Sequence, residues 1–254
     1  VLIAAGTPHK TQAEAVGPPF RIVDRAQLDA LADVATDVPR FEGVLANVPA
    51  LERAAAGHAV VSAAPADSVI RTAPTVVRIG DRFLPALATE MLRVALGTPD
   101  VRLRANGRVV ETVSVGTFTV PTEADGQVRI HFSRRDPRRY VSAADVLDGT
   151  VDAARLARKL VIVGVTGFAL VDFQQTALGE RMPGSEVHAQ LIENLYDQSW
   201  LARPAWARAL ELGYFVLAGL ALVWVTPRWK PGHASLLAVG AMALPLAAGI
   251  GAFA

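Results

Sequence analysis

The chain has 254 residues, of which 52% are hydrophobic and 19% charged, with a formal net charge of +1 and no cysteine. Near-neutrality gives no global field that would select nucleic acid or a strongly acidic partner. The lack of cysteine excludes thiol catalysis, cysteine-ligated metals and disulfides together.

In chain order, Val1 to Ala5 reads as a buried strand, being too short and without the basic lead of a signal-peptide core. Gly6 to Pro19 is irregular. Asp24 to Val34 has helical spacing, with Leu28, Leu31 and Ala32 on one side. Asn47 and Pro49 open a further helix, as cap and first-turn residue, and Gly57 ends it. His58 to Ala64 predicts a strand with too few polar residues for an exposed sheet face, and Val69 to Ile79 continues the extended pattern. Pro85 to Leu96 predicts a helix with the stripe Leu87, Met91 and Leu92, stopped by Gly97.

From Val101 to Phe132 residues alternate and branch at Cβ, with hairpin punctuation at Asn106-Gly107 and Asp125-Gly126. Ser142 caps a short helix that ends at Gly149. Leu160-Val-Ile-Val163 predicts a buried strand running into Gly164. Ser185 to Tyr196 predicts a helix with Val187, Leu191 and Leu195 on one face. The expected fold class is α/β, a mixed sheet flanked by helices with an antiparallel hairpin excursion, followed by two transmembrane helices.

Those two helices are read from Ala209 to Val225, extended to Trp206 and Pro227, and from Ala234 to Ala254, which carries no charge. A helix of about 20 apolar residues spans a bilayer core of roughly 30 Å. Arg228 and Lys230 in the intervening loop place it in the cytoplasm, near residues 226–233, and the folded body outside. The expected organisation is therefore an extracytoplasmic sensory domain over 1–204, lacking its N-terminal part, and a transmembrane region over 205–254.

The sharpest local signal is the turn after the predicted strand, where Gly164, Thr166 and Gly167 precede Asp172. Such turns expose backbone N–H groups that hold anions. An ordinary strand-to-helix turn is the first reading and a pocket floor the second. Asp172 and His188 invite a catalytic reading as an ectodomain hydrolase, but no Gly-x-Ser-x-Gly or P-loop pattern accompanies them. A neutral, hydrogen-bonded core histidine is the plainer role for His188. The five histidines have no paired metal-ligand spacing, so neither a metal nor a cofactor is expected. Arg134, Arg135, Arg138 and Arg139 surround Asp136-Pro137 and read as a solvated loop, with a phospholipid or anion contact as the alternative.

Several segments together resemble one family, in this order: Gly57-His-Ala-Val-Val, Asp67-Ser-Val-Ile-Arg71, Leu84-Pro-Ala-Leu-Ala-Thr-Glu90, Ser142-Ala-Ala-Asp-Val-Leu147, Leu160 to Gly167 with Asp172, and Met182-Pro-Gly-Ser-Glu-Val-His-Ala189. Arg203-Pro204 then leads into the first apolar segment. The set resembles the CHASE sensory domain of the second type, the extracytoplasmic input module of bacterial adenylate and guanylate cyclases, histidine kinases and Ser/Thr kinases. The resemblance covers Val1 to Pro204. It implies a non-enzymatic fragment, cut at both ends, of a receptor in the bacterial plasma membrane whose output is best read as a class III cyclase, with a kinase as alternative. It further implies a homodimer whose partners are the lipid bilayer and an unidentified small-molecule or envelope ligand. Gly164, Thr166, Gly167, Asp172 and His188 are the expected ligand-binding residues, and Arg203 and Pro204 the expected relay.

Overall fold

The computed structural model describes residues 2–3, 38–41, 43, 47–61, 69–79, 82–106, 109–165, 173–201, 205–225 and 227–228, with isolated positions between 235 and 247. The predicted helix from Asp24 to Val34 lies outside the described residues. The chain divides into two compact units, Val1–Ala202 and Arg203–Ala254.

The first unit is α/β with several small mixed sheets. β1 (Leu2–Ile3) runs parallel to β3 (Ala59–Val60), and β2 (Arg40–Phe41) runs parallel to β6 (Val76–Ile79), which pairs antiparallel with β7 (Arg82–Pro85). Two valines of β6, Val76 and Val77, are wholly buried, so both faces of this central strand are covered. α1 (Pro49–Ala54) precedes β3, and α2 (Leu87–Ala95) follows β7. α2 ends as predicted: Leu96 donates to Leu92 O, and Gly97 takes a φ of +62°, a left-handed conformation that glycine adopts without a Cβ penalty.

β8 (Val101–Asn106) and β9 (Val109–Val115) form the expected antiparallel hairpin, and β10 (Phe118–Pro121) extends it to a three-stranded meander. Its inward residues Val101, Leu103, Val110, Val113, Val115 and Val120 join the main core. The second turn signal behaves differently. β11 (Gln127–Arg129), after Asp125-Gly126, leaves the meander and pairs antiparallel with β5 (Thr72–Pro74), more than fifty residues upstream. Local punctuation marked the turn; the partner strand was set by the core, where Val128 and Ala73 are both buried. β12 (Phe173–Thr176) lies between β4 (Val69–Ile70), parallel, and β13 (Arg181–Pro183), antiparallel. α3 (Ala143–Leu147) is capped by the Ser142 hydroxyl, and α4 (Gly184–Asp197) buries Val187, Leu191 and Leu195 as its spacing required.

One expectation fails within this unit. Leu160–Val163 forms no strand. Leu160, Val161 and Val163 are 46%, 51% and 84% exposed, and only Ile162 packs on the core. Just upstream, Arg158 adopts a φ of +55° and Lys159 closes a tight turn on Leu156 O. An apolar β-branched run has the propensity for a strand, but a ladder also needs a neighbouring strand in register. Among the described residues none pairs with it.

The second unit contains α5 (Ala205–Val225), and the positions described between 235 and 247 are helical. Tyr214 donates to Ala241 O at 2.6 Å, and Arg228 donates to Trp224 O at 2.7 Å while lying over its ring. The expectation of two transmembrane helices is corrected here: among the described residues, no helix is long and apolar enough to cross a membrane. α5 has 21 residues, but Arg208 and Glu211 occupy its first turns. The uncharged remainder, Leu212 to Val225, is about 14 residues or roughly 21 Å of helix, short of a core of about 30 Å. The second apolar segment, Ala234 to Ala254, falls largely outside the described residues.

Candidate functional site

Of the expected ligand-binding residues, Gly164 and His188 are described, whereas Thr166, Gly167 and Asp172, like Arg203 and Pro204, lie outside the described residues. Gly164 sits directly against the first turn of α4: a Cβ built on it would lie 2.6 Å from Ser185 Cβ and 2.7 Å from Ser185 Oγ. Only glycine allows that approach. One turn further, His188 Nε2 lies 3.2 Å from Val61 O, just past β3. Burial pushes its imidazole below the ordinary value of 6.5, opposed by the bond to the Val61 carbonyl. A neutral ring with Nε2–H donating to that carbonyl satisfies both facts. The arrangement joins α4 to β3 through the His188 ring.

A stripe on α4 that the sequence reading missed carries more geometry. Glu186, Gln190 and Asn194, one helical turn apart, are all buried. Asn194 Oδ1 accepts from His131 N at 2.6 Å, and its Nδ2 donates to His131 O at 3.1 Å. Gln190 repeats the pattern on Ser133, accepting at 2.9 Å and donating at 3.1 Å. The two side-chain amides stand in for a neighbouring strand, satisfying four backbone groups of the extended segment that follows β11. Glu186 accepts from Tyr140, whose phenol is pushed up by burial and by that carboxylate. Arg135 lies 4.9 Å over the Tyr140 ring, with Nε 4.0 Å from Glu186 Oε2. Two further members of the basic cluster are paired: Arg138 with Asp136 at 2.8 Å and Arg139 with Glu193 at 2.8 Å. The i, i+4, i+8 spacing of Glu, Gln and Asn on an otherwise apolar face was the signal available in sequence.

Upstream of that segment lies an open surface cleft lined by Thr72, Glu123, Ala124, Asp125 and Arg129. β5 and β11 supply Thr72 and Arg129; the tight turn before β11 supplies the others. That turn is anchored from beneath, with Gly126 O accepting from Thr75 N at 3.2 Å and from Thr75 Oγ1 at 2.6 Å. Arg129 Nη2 pairs with Glu123 Oε1 at 2.9 Å. Thr72 donates to Gln127 Oε1 at 2.8 Å, and Gln127 Nε2 donates to Asp125 Oδ2 at 2.6 Å. The same Arg129 forms an isolated antiparallel bridge with Leu201, whose N–H donates to Arg129 O at 3.2 Å. Leu201 is the last described residue before α5.

Compared with known families, residues 9–225 match the CHASE2 domain. The chain belongs to the CHASE2 family. A CHASE2 domain is an extracytoplasmic sensory domain of signalling receptors and is not catalytic. No curated protein matches the chain significantly, and no solved structure does.

Proposed function

We propose that this CHASE2 domain is the ligand-sensing input of a bacterial class III adenylate or guanylate cyclase receptor, held at the plasma membrane and working as a homodimer. It detects a small-molecule or envelope ligand and passes the signal through Ser199 to Pro204 into α5. The observation that carries the relay is the Arg129–Leu201 bridge, which ties β11 to the segment entering α5. A ligand shifts such an equilibrium only by its differential affinity for the two arrangements. Lipid contact is supported by the side chains of α5: Trp206, Phe215, Leu217 and Val223 are all more than 60% exposed.

The test is a chimera in which the chain is fused to a class III cyclase catalytic domain and expressed in bacteria. One, two and three alanines are inserted after Arg203. Cyclic nucleotide output that varies with the insertion in helical phase supports the relay. Output indifferent to all three insertions overturns it.

A further inference from the structure

The cleft between β5 and β11 has a donor and acceptor pattern that selects a charge type. Thr72 gives its hydroxyl proton to Gln127, and Gln127 gives an amide proton to Asp125. That chain of bonds leaves the Thr72 oxygen with acceptor capacity only, while Asp125 is an acceptor throughout. Glu123 uses Oε1 for both Arg129 contacts, at 3.2 and 2.9 Å, and among the described residues its Oε2 has no partner. The cleft thus offers three acceptor groups, from Thr72, Glu123 and Asp125, two of them carboxylates. An ammonium has three donors and no acceptor, so it matches this set. The opposite charge has one receiver. Arg129 binds Glu123 through Nε and Nη2, and among the described residues its Nη1 is uncommitted. A guanidinium edge of that kind recognises a carboxylate. The cleft is open, so a small solute reaches these groups directly from solvent.

We propose that this cleft binds a small zwitterion of amino-acid type, its ammonium on Thr72, Glu123 and Asp125 and its carboxylate on Arg129. The proposal rests on the sensory reading above and names the ligand class and site that reading leaves open. It also supplies a route. A carboxylate on Nη1 competes with Glu123 for Arg129, and the backbone of Arg129 holds Leu201. Occupancy is thereby felt at the residue that leads into α5, through one side chain and one backbone hydrogen bond.

The experiment uses the full chain and a panel of free amino acids, read by thermal shift and calorimetry. The probes include, for each amino acid that binds, its carboxamide, which lacks the carboxylate, and its N-acetyl derivative, which lacks the ammonium. The expected result is that a free amino acid binds at millimolar concentration or below and that both derivatives bind at least ten-fold more weakly. Glu123→Gln and Arg129→Gln weaken binding at least ten-fold, whereas Val163→Thr, at an exposed position outside the cleft, leaves it unchanged. The ligand also changes hydrogen exchange at the Leu201 amide. Binding by no amino acid on the panel, or equal binding by the carboxamide, overturns the ligand class. Unchanged affinity in both cleft variants overturns the site, and an unchanged Leu201 amide in the liganded protein overturns the route. Since Arg129→Gln could unsettle β11, Glu123→Gln is judged with its unliganded melting temperature alongside. Failure here with helical-phase output retained in the chimera removes the amino-acid ligand and leaves the sensory reading standing; loss of phase dependence with amino-acid binding retained does the reverse.

Discussion

His188 is half-buried, and desolvation holds its imidazole below the ordinary value of 6.5. The unfolded chain therefore binds a proton in a pH range where the native chain does not. Stability must fall as pH drops through about 6.5 and level off below the folded value. Urea midpoints across about pH 5 to 8 should show this slope, and His188→Gln should flatten it; an unchanged slope in the variant would assign the effect elsewhere. Glu90 and Arg93 form a buried ion pair on α2. Arg93 Nε lies 2.7 Å from Glu90 Oε2, with side-chain exposures of 11% and 5%, and the carboxylate hydrogen bond raises the guanidinium still further. A Cβ on Gly57 would come within 2.2 Å of Glu90 Oε1, so the chain before β3 is laid directly on the pair. Glu90→Ala leaves a buried cation and should cost about 3–5 kcal/mol in denaturant unfolding. The paired replacement Glu90→Leu with Arg93→Met should recover most of that loss, since a buried ion pair contributes little beyond what packed apolar groups supply.

Between elements, the amide stripe of α4 replaces a missing strand. Gln190→Ala or Asn194→Ala strands one backbone N–H and one C=O in the segment after β11, at a cost of about 1–3 kcal/mol each. Because both act on one extended segment, the double variant should fall short of or exceed the sum. Hydrogen exchange should quicken at Ser133 in the first variant and at His131 in the second; uniform quickening along the chain would instead report global destabilisation. The segment from Leu160 to Val165 gives a contrasting prediction. Val163→Thr should change stability by no more than about 0.5 kcal/mol, as for any exposed position. Ile162→Ala should cost about 1–2 kcal/mol, near the low end for an aliphatic side chain that is only partly buried. A large loss from Val163→Thr would mean that this residue is covered in solution. Helices and caps were legible because their signals are local: Ser142, Gly97 and the Val187, Leu191 and Leu195 stripe are each set within a few residues. The β11–β5 pairing and the unpaired state of Leu160–Val163 depended on partners far away in the chain.

Across the molecule, the proposed relay rests on how these elements are joined. β11 carries Arg129 of the cleft, continues into the segment clamped by α4, and bridges Leu201 at the entry to α5. Breaking that coupling without disturbing the cleft is feasible: Leu201→Pro removes the N–H that reaches Arg129 O. In the cyclase chimera it should abolish ligand-dependent output while amino-acid binding persists. Output that survives would place the relay elsewhere. Among the sites expected from sequence, the structure brings Gly164 to Ser185 and His188 to Val61. Its mixed-charge cleft assembles from Thr72 and from Glu123 to Arg129, residues whose proximity is created by strand pairing.

The sequence by itself determined the α/β class, the positions and stops of the main helices, the β8–β9 hairpin and the CHASE2 membership, because periodicity, capping and turn chemistry act over short distances. It also predicted two membrane spans from apolar length, whereas among the described residues no helix is long and apolar enough to cross, α5 carrying two charges near its start. Only the tertiary structure decided which strands pair, which apolar run stays uncovered, and which polar groups converge. Those outcomes turn on long-range burial and hydrogen-bond satisfaction, and a side chain's place in the chain does not specify the neighbour that will satisfy it.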